Sequence, residues 1–435
     1  MASTYLTRTA TSGNRQIATF SGWIKKGSNG VDTNRVFLEY STSTNYFEIR
    51  WRSVDNLRIY EELSGGTGFE LITNRLFRDN SAWYHIVVEI DTTQATASDR
   101  IKLYINGVQE TSFSTETYPS QNYNVQMNVN SKVVSIGAYQ YAGSNYFDGS
   151  MAHVHWIDGT AYDASAFGET DATTGIWKPI TAPSVTYGTN GFFLKFENSG
   201  SMGTDSSGNS NNFTVNGTMT QTIDTPSNVF ATMNPITGNT NPTFSNGNCS
   251  VQGTSAGNVP ATIGVSSGKW YWEQKVTSSN AYVAICNDSG YNATVSVSGS
   301  GSGAVGYFGS GEIFDEGGSA ISSLTTFTTN DIIGVHLNMD DGNITWYKNG
   351  SIVSGSTYTF GTTGNGTLFE TAFPCFNVGG ATTRSSDFNF GNGYFGTTAV
   401  SSAQNPDDGI GIFEYAVPTG YKALCTKSIN AQEYD

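Results

Sequence analysis

Carboxylates two apart on a strand share a face, and a pair of them ~5–10 Å apart could cleave a glycosidic bond. The signature would be a Glu-x-Asp-x-Glu run. The nearest candidate is Glu89-Ile90-Asp91, and Thr93 stands where the third carboxylate is needed. His153 and His155 are spaced to share one strand face and to clasp a metal, but two imidazoles without a third ligand make no site. Val154 and Trp156 beside them read as ordinary strand. There is no Gly-x-Ser-x-Gly elbow for a nucleophile. The glycines sit in Ser/Asn turns and lack the Lys or helix that a phosphate loop requires. The expectation is a chain without catalytic machinery.

Aromatic side chains are the better candidates for contact with a ligand. Tyr139, Tyr141 and Tyr146 cluster in a Gly/Ser-containing loop ahead of a strand, and Tyr307, Phe308 and Phe314 surround Gly309-Ser310-Gly311. Exposed rings stack on the flat faces of sugars while neighbouring Asn and Asp bond the hydroxyls. With 23 Tyr and 25 Phe in the chain, many of these rings must instead be core.

The elements that position them read as strands throughout. Ile17–Ile24, Arg35–Tyr40, Tyr46–Arg52 and Trp83–Ile90 are β-branched or aromatic runs bounded by turn residues. Ile101, Leu103 and Ile105 alternate ahead of Asn106-Gly107, which suits a type I′ turn, and Ile344–Lys348 followed by Asn349-Gly350 repeats the device. With 435 residues and 50 glycines, the spacing predicts an all-β chain of two antiparallel sandwiches in tandem. The domains are expected at 1–217 and 246–396. A linker at 218–245 joins them, and a tail at 397–435 packs back through Ile412, Phe413, Tyr415, Tyr421 and Leu424. Four cysteines far apart in the sequence, Cys249, Cys286, Cys375 and Cys425, are expected to be buried free thiols.

The net charge is −15, with 15 basic and 20 acidic residues in 1–217 and 6 against 16 in 218–435. This balance excludes a nucleic-acid partner, which clustered Lys and Arg would bind. No apolar signal core opens the sequence and no 18-residue apolar run occurs in it, so a cytosolic product without membrane insertion is expected.

Residues 1–217 resemble the concanavalin-A-like jelly rolls of laminin-G type. The resemblance rests on Tyr5–Thr9, Phe20–Lys26, Trp83-Tyr84-His85, Leu103–Gly107, Ile136–Tyr139 and Phe147–Gly159. Residues 246–396 resemble a SPRY domain through Gly268–Glu273, Asn330–Asp340, Ile344–Gly350, Phe373–Phe376 and Phe388–Gly391. Asp205–Asn209, Asp224–Pro235 and Pro418–Thr426 are similar to recurrent pieces of marine phage virion proteins. The laminin-G resemblance implies calcium at a strand-end loop, with Asp148 or Asp205 as the carboxylate, although both also fit plain turn chemistry. No cofactor is required.

Together the resemblances imply a non-enzymatic virion protein, a tail-fibre or appendage adhesin recognising host-surface glycans or proteins and oligomeric in the particle. Capsid decoration, by binding other virion proteins, is the alternative. A cytosolic lectin or adaptor is the third reading.

Overall fold

The computed structural model describes residues 4–30, 35–139, 146–236, 242–278, 281–361, 367–378 and 382–434. It shows the expected all-β fold, as two compact units that part between Gln221 and Thr222. Each unit is a sandwich of two antiparallel sheets.

In the first unit one sheet runs in the order Phe113–Thr117, Gly66–Leu76, Asn56–Leu63, Asn45–Trp51, Arg35–Thr42, Val133–Ile136, Tyr5–Thr9 and Thr214–Asn216. The other runs Phe192–Leu194, Gly149–Asp158, Ile17–Lys26, Tyr84–Asp91, Ile101–Ile105 and Val108–Glu110. Side chains two apart on each strand meet in the core between them, as with Phe47, Ile49 and Trp51, or Ile86, Val88 and Ile90. Tyr84–Asp91 is buried on its second face as well, because Val87 packs with Ile157, Ala164 and Phe167. The connection after Asp158 folds back over that sheet.

The Asn-Gly turns form as the sequence indicates. Asn106 and Gly107 have φ of 49° and 82°, and Asn349 and Gly350 have 49° and 80°. The asparagine side chain adds a second contact. Asn106 N–H donates to the His85 carbonyl at 2.9 Å, and its Oδ1 accepts the His85 N–H at 2.8 Å. Asn349 makes the same reciprocal pair with Ile332, both bonds at 2.8 Å. Each turn therefore clamps the start of the preceding, neighbouring strand as well as reversing its own.

In the second unit the central strand is Lys269–Val276, flanked by Ile332–Asn338 and Arg384–Asn389. Trp270, Trp272 and Val276 point into the core against Val283, Ile285, Trp346 and Phe376. Tyr271 and Glu273 point outward, and the tail covers them. Lys422–Ala423 adds a short parallel strand beside Trp270 and Tyr271. Phe413, Ala423 and Cys425 pack on Tyr271 together with Phe230.

Glu273, fully buried, fastens this cover. Its Oε1 accepts Tyr271 Oη–H at 3.0 Å and Tyr415 N–H at 2.9 Å. Its Oε2 accepts Asn389 Nδ2–H at 3.1 Å and Glu414 N–H at 2.9 Å.

The segment expected as a linker is partly packed in this unit. Phe230, Ala231 and Met233 are buried, and Ala231 N–H donates to the Leu424 carbonyl at 2.9 Å. Apolar residues in 225–234 belong to the fold for the same reason as those of the tail. All four cysteines are free and buried.

Removing the Glu273 acceptor strands four donors, each worth ~1 kcal/mol or more when buried. Glu273→Ala should therefore lower the melting temperature by several degrees and speed amide exchange at Glu414 and Tyr415. Burial also pushes the Glu273 carboxyl up to about 7 against the hydrogen bonds that favour its charge. A raised value in the folded chain means that this group stabilises the fold below its ordinary carboxylate range. That contribution is lost as pH rises through about 7. Melting temperatures between pH 5 and pH 8 should fall, and Glu273→Gln should flatten the slope.

Candidate functional site

The outward face of the eight-stranded sheet in the first unit joins aromatic and charged side chains. Tyr46, Glu48 and Arg50 alternate with the core residues of their strand. Register sets them opposite Glu62, Tyr60 and Arg58. Tyr60 in turn lies opposite Glu70. Arg58 is the hub. Its Nε bonds Glu70 at 2.7 Å, its Nη1 lies 3.5 Å from Glu48, and its guanidinium sits 3.5 Å above the Tyr60 ring. Arg50 Nε meets the same Glu48 oxygen at 2.7 Å. Arg50 and Arg58 would repel across the strands, and the fully buried Glu48 between them offsets that.

Tyr46 donates to Glu62 at 2.8 Å and packs 5.8 Å from both Tyr60 and Tyr139. Burial and the neighbouring Glu48 and Glu62 push the Tyr46 phenol far above its ordinary range, so it stays a donor.

Tyr139 therefore belongs to an aromatic patch, half-buried beside Tyr46. Tyr146, also half-buried, lies instead against Tyr5, ring to ring at 5.8 Å. Tyr141 lies outside the described residues. Tyr46, Tyr60 and Arg58 were missed in the sequence. Their strands were legible, but which residues face one another depends on register.

The carboxylates considered for calcium are held in different ways. Asp205 accepts four bonds at 2.8 Å, from Phe193 N–H and Ser207 N–H on Oδ1 and from Ser207 Oγ–H and Asn211 N–H on Oδ2. Both oxygens face hydrogens, an arrangement that does not fit a cation. Asp148 is half-buried beside Gly27, and burial pushes its carboxyl up against a Ser28 hydrogen bond. A separate oxygen cage holds the Lys26 ammonium. Lys26 Nζ lies 2.9 Å from Asp55 Oδ1, 2.9 Å from the Phe77 carbonyl and 3.2 Å from Asn29 Oδ1. Among the described residues no three His, Cys, Asp or Glu side chains converge as metal ligands.

The histidines serve packing. A bulge between Ala152 and His155 puts His153 at φ 47°, and the two rings lie 6.4 Å apart, both against Phe193. His155 stacks on Phe193 at 3.9 Å and bonds Tyr187 Oη through Nδ1 at 3.0 Å. His85 accepts from Trp177 Nε1–H on Nδ1 at 3.0 Å, so its Nε2 carries the proton and donates to Ser21 Oγ at 2.9 Å. Burial pushes the His85 imidazole down to about 3, which keeps it neutral.

In the second unit the expected aromatic set divides by strand alternation. Tyr307 is a core residue instead of a ligand contact. It is fully buried against Phe327 and Trp346, because it shares a face with Val305. Phe308 and Phe314 point the other way, half-buried with Tyr282. Tyr282 lies 4.5 Å from Phe308 and 6.1 Å from Phe314. Arg384, which the sequence did not single out, joins them, 4.7 Å above Tyr282.

Residues 2–165 match the family model described as the concanavalin A-like lectin/glucanases superfamily, and residues 269–393 match the SPRY domain model. The chain thus carries a concanavalin A-like domain followed by a SPRY domain. Similar solved structures include the SPRY domain of human HERC1, at 17% identity over 32% of this chain and 86% of that one, TM-score 0.26. The TRIM65 PSpry domain is 13% identical over 37% and 91%, TM-score 0.27. A heptameric SAP-like pentraxin from Limulus polyphemus is 15% identical over 37% and 71%, TM-score 0.27. No curated protein matches the chain.

The bonding of Asp205 yields a direct test for calcium. Melting curves with and without a chelator should coincide. Asp205→Ala should lower the melting temperature equally in both, since it strands the same four donors whatever the ion concentration.

Proposed function

We propose that this chain is a non-enzymatic recognition protein of a phage particle, an adhesin of a tail fibre or similar appendage that binds host-surface glycans. The observation that carries this reading is the Arg58 hub. Sugar hydrolysis would need two carboxylates free to share the work across a cleft. Glu48 and Glu70, on the outward sheet face, are both spent on one guanidinium. Tyr139, half-buried, packs on the buried Tyr46 and Tyr60, and of the three it is the ring that offers stacking surface beside these polar groups. Two binding-type folds in tandem support the same conclusion. The phage setting rests on the resemblance of Asp205–Asn209, Asp224–Pro235 and Pro418–Thr426 to virion proteins.

The full chain should label bacterial cells or their purified envelope polysaccharides without releasing reducing ends. Tyr139→Ala should weaken that labelling several-fold, as expected for a contact worth ~1 kcal/mol. Reproducible release of reducing ends would show an enzyme. Binding to phage particles but to no cell or polysaccharide would show a decorating role instead.

A further inference from the structure

Arg384 is the one arginine in residues 218–435. It opens the strand Arg384–Asn389, on the same face as Ser386 and the core residue Phe388. Only 6% of it is exposed. Its guanidinium lies 4.7 Å from the Tyr282 centroid and 5.6 Å from that of Phe308, with Phe314 a further 6.2 Å from Phe308. Its Nε and Nη1 are buried and find no acceptor among the described residues.

Lys26, Arg50 and the half-buried Arg8 show how other inward-lying cations are answered. Lys26 has Asp55 at 2.9 Å, and Arg50 has Glu48 at 2.7 Å. Arg8, beside a polar groove of about 540 Å³, gives its guanidinium to the Asn190 carbonyl and to Asn211 Oδ1, both at 2.9 Å. The Tyr282 hydroxyl is a hydrogen-bond partner of the Arg384 guanidinium, but Nε and Nη1 stay unanswered, which costs stability, and stacking on two rings returns only part of it. A methionine would fill the space without that cost, so packing alone does not account for an arginine here.

We propose that Arg384 receives the carboxylate of an acidic sugar, with the half-buried rings of Phe308 and Phe314 taking the apolar face of the same residue. The planar guanidinium fork suits a carboxylate. Neighbouring rings suit a pyranose. Residues 218–435 carry 16 acidic side chains, so a single cation there admits a monoanion and repels densely charged polymers. Nε and Nη1 are covered, and entry requires a neighbouring side chain to turn aside. Phe308, 5.6 Å away, is partly open to solvent. This proposal rests on the glycan-binding reading and names the chemistry of one ligand.

The test uses the full chain with ¹⁵N-labelled arginine, the Arg384 Nε–H signal being identified by its loss in Arg384→Met. Galacturonic acid should shift that signal saturably. Galactose should leave it in place, and acetate should need at least a several-fold higher concentration. Arg384→Met should abolish galacturonate binding while melting no lower than the parent chain. No shift with galacturonate overturns the site, and an equal response to galactose or acetate overturns the acidic-sugar assignment. A clearly lower melting temperature in Arg384→Met overturns it too, because the arginine would then be structural. Cell or polysaccharide binding that survives Arg384→Met defeats this proposal alone. Absence of any such binding by the parent chain defeats the reading beneath it.

Discussion

Two stacked sheets cover only one face of each other, and most of what distinguishes this chain follows from how it treats the remaining faces. Backbone groups within a sheet are paired by their neighbours, but an apolar outer face must still be hidden from water. In the first unit the connection after Asp158 brings Ala164, Phe167 and Trp177 onto Val87 and Ile157. In the second, the tail brings Phe413 and Ala423 onto Tyr271. Val297, from the Gly/Ser-rich stretch, covers Ala284, Cys286, Ala304 and Cys375. Segments that look like connections are thus the third layer of the fold. The eight-stranded sheet is treated differently: its outer face carries ions and rings that complete one another.

Covering a polar sheet face demands that every polar group beneath the cover be answered. Glu273 shows how. A carboxylate on the outer face would ordinarily oppose burial, yet the two backbone N–H groups that bond it belong to the covering tail. The same bonds satisfy the acid and fix the tail, so the cover holds where burial would otherwise be costly. Asp205 does this locally, its oxygens gathering one N–H from the neighbouring Phe192–Leu194 strand and three donors from its own turn.

Strands, turns and the division into two sandwiches were legible in the sequence because period-two alternation and Asn-Gly turns are local. Local reading also grouped Phe308 with Phe314, and the two rings lie 6.2 Å apart. It misplaced Tyr307 because adjacent strand residues face opposite ways, and the run Ala304–Phe308 does not reveal which face is core. The Arg58 hub was illegible for a different reason. Glu48, Tyr60 and Glu70 come together across three strands, so a search along one strand for paired carboxylates passes over them. Asp205 looked like a cation ligand because Asp-Ser-Ser-Gly supplies oxygen atoms. In the fold those oxygens meet hydrogens.

Partner accounting then separates structural ions from one that has no structural reason. Lys26, Arg50, Arg58 and Glu273 each sit among groups of opposite polarity, and each fixes a strand, a rim or the tail. Their burial is self-consistent and needs nothing from outside the chain. Among the described residues Arg384 meets Tyr282 but no carboxylate, though its half of the chain is rich in them. A folding requirement would have drawn one of those acids to it, because an answered charge is cheaper to bury than an unanswered one. Keeping the acids away preserves donors that a ligand can use, and the half-buried rings of Phe308 and Phe314 mark the side from which it would come.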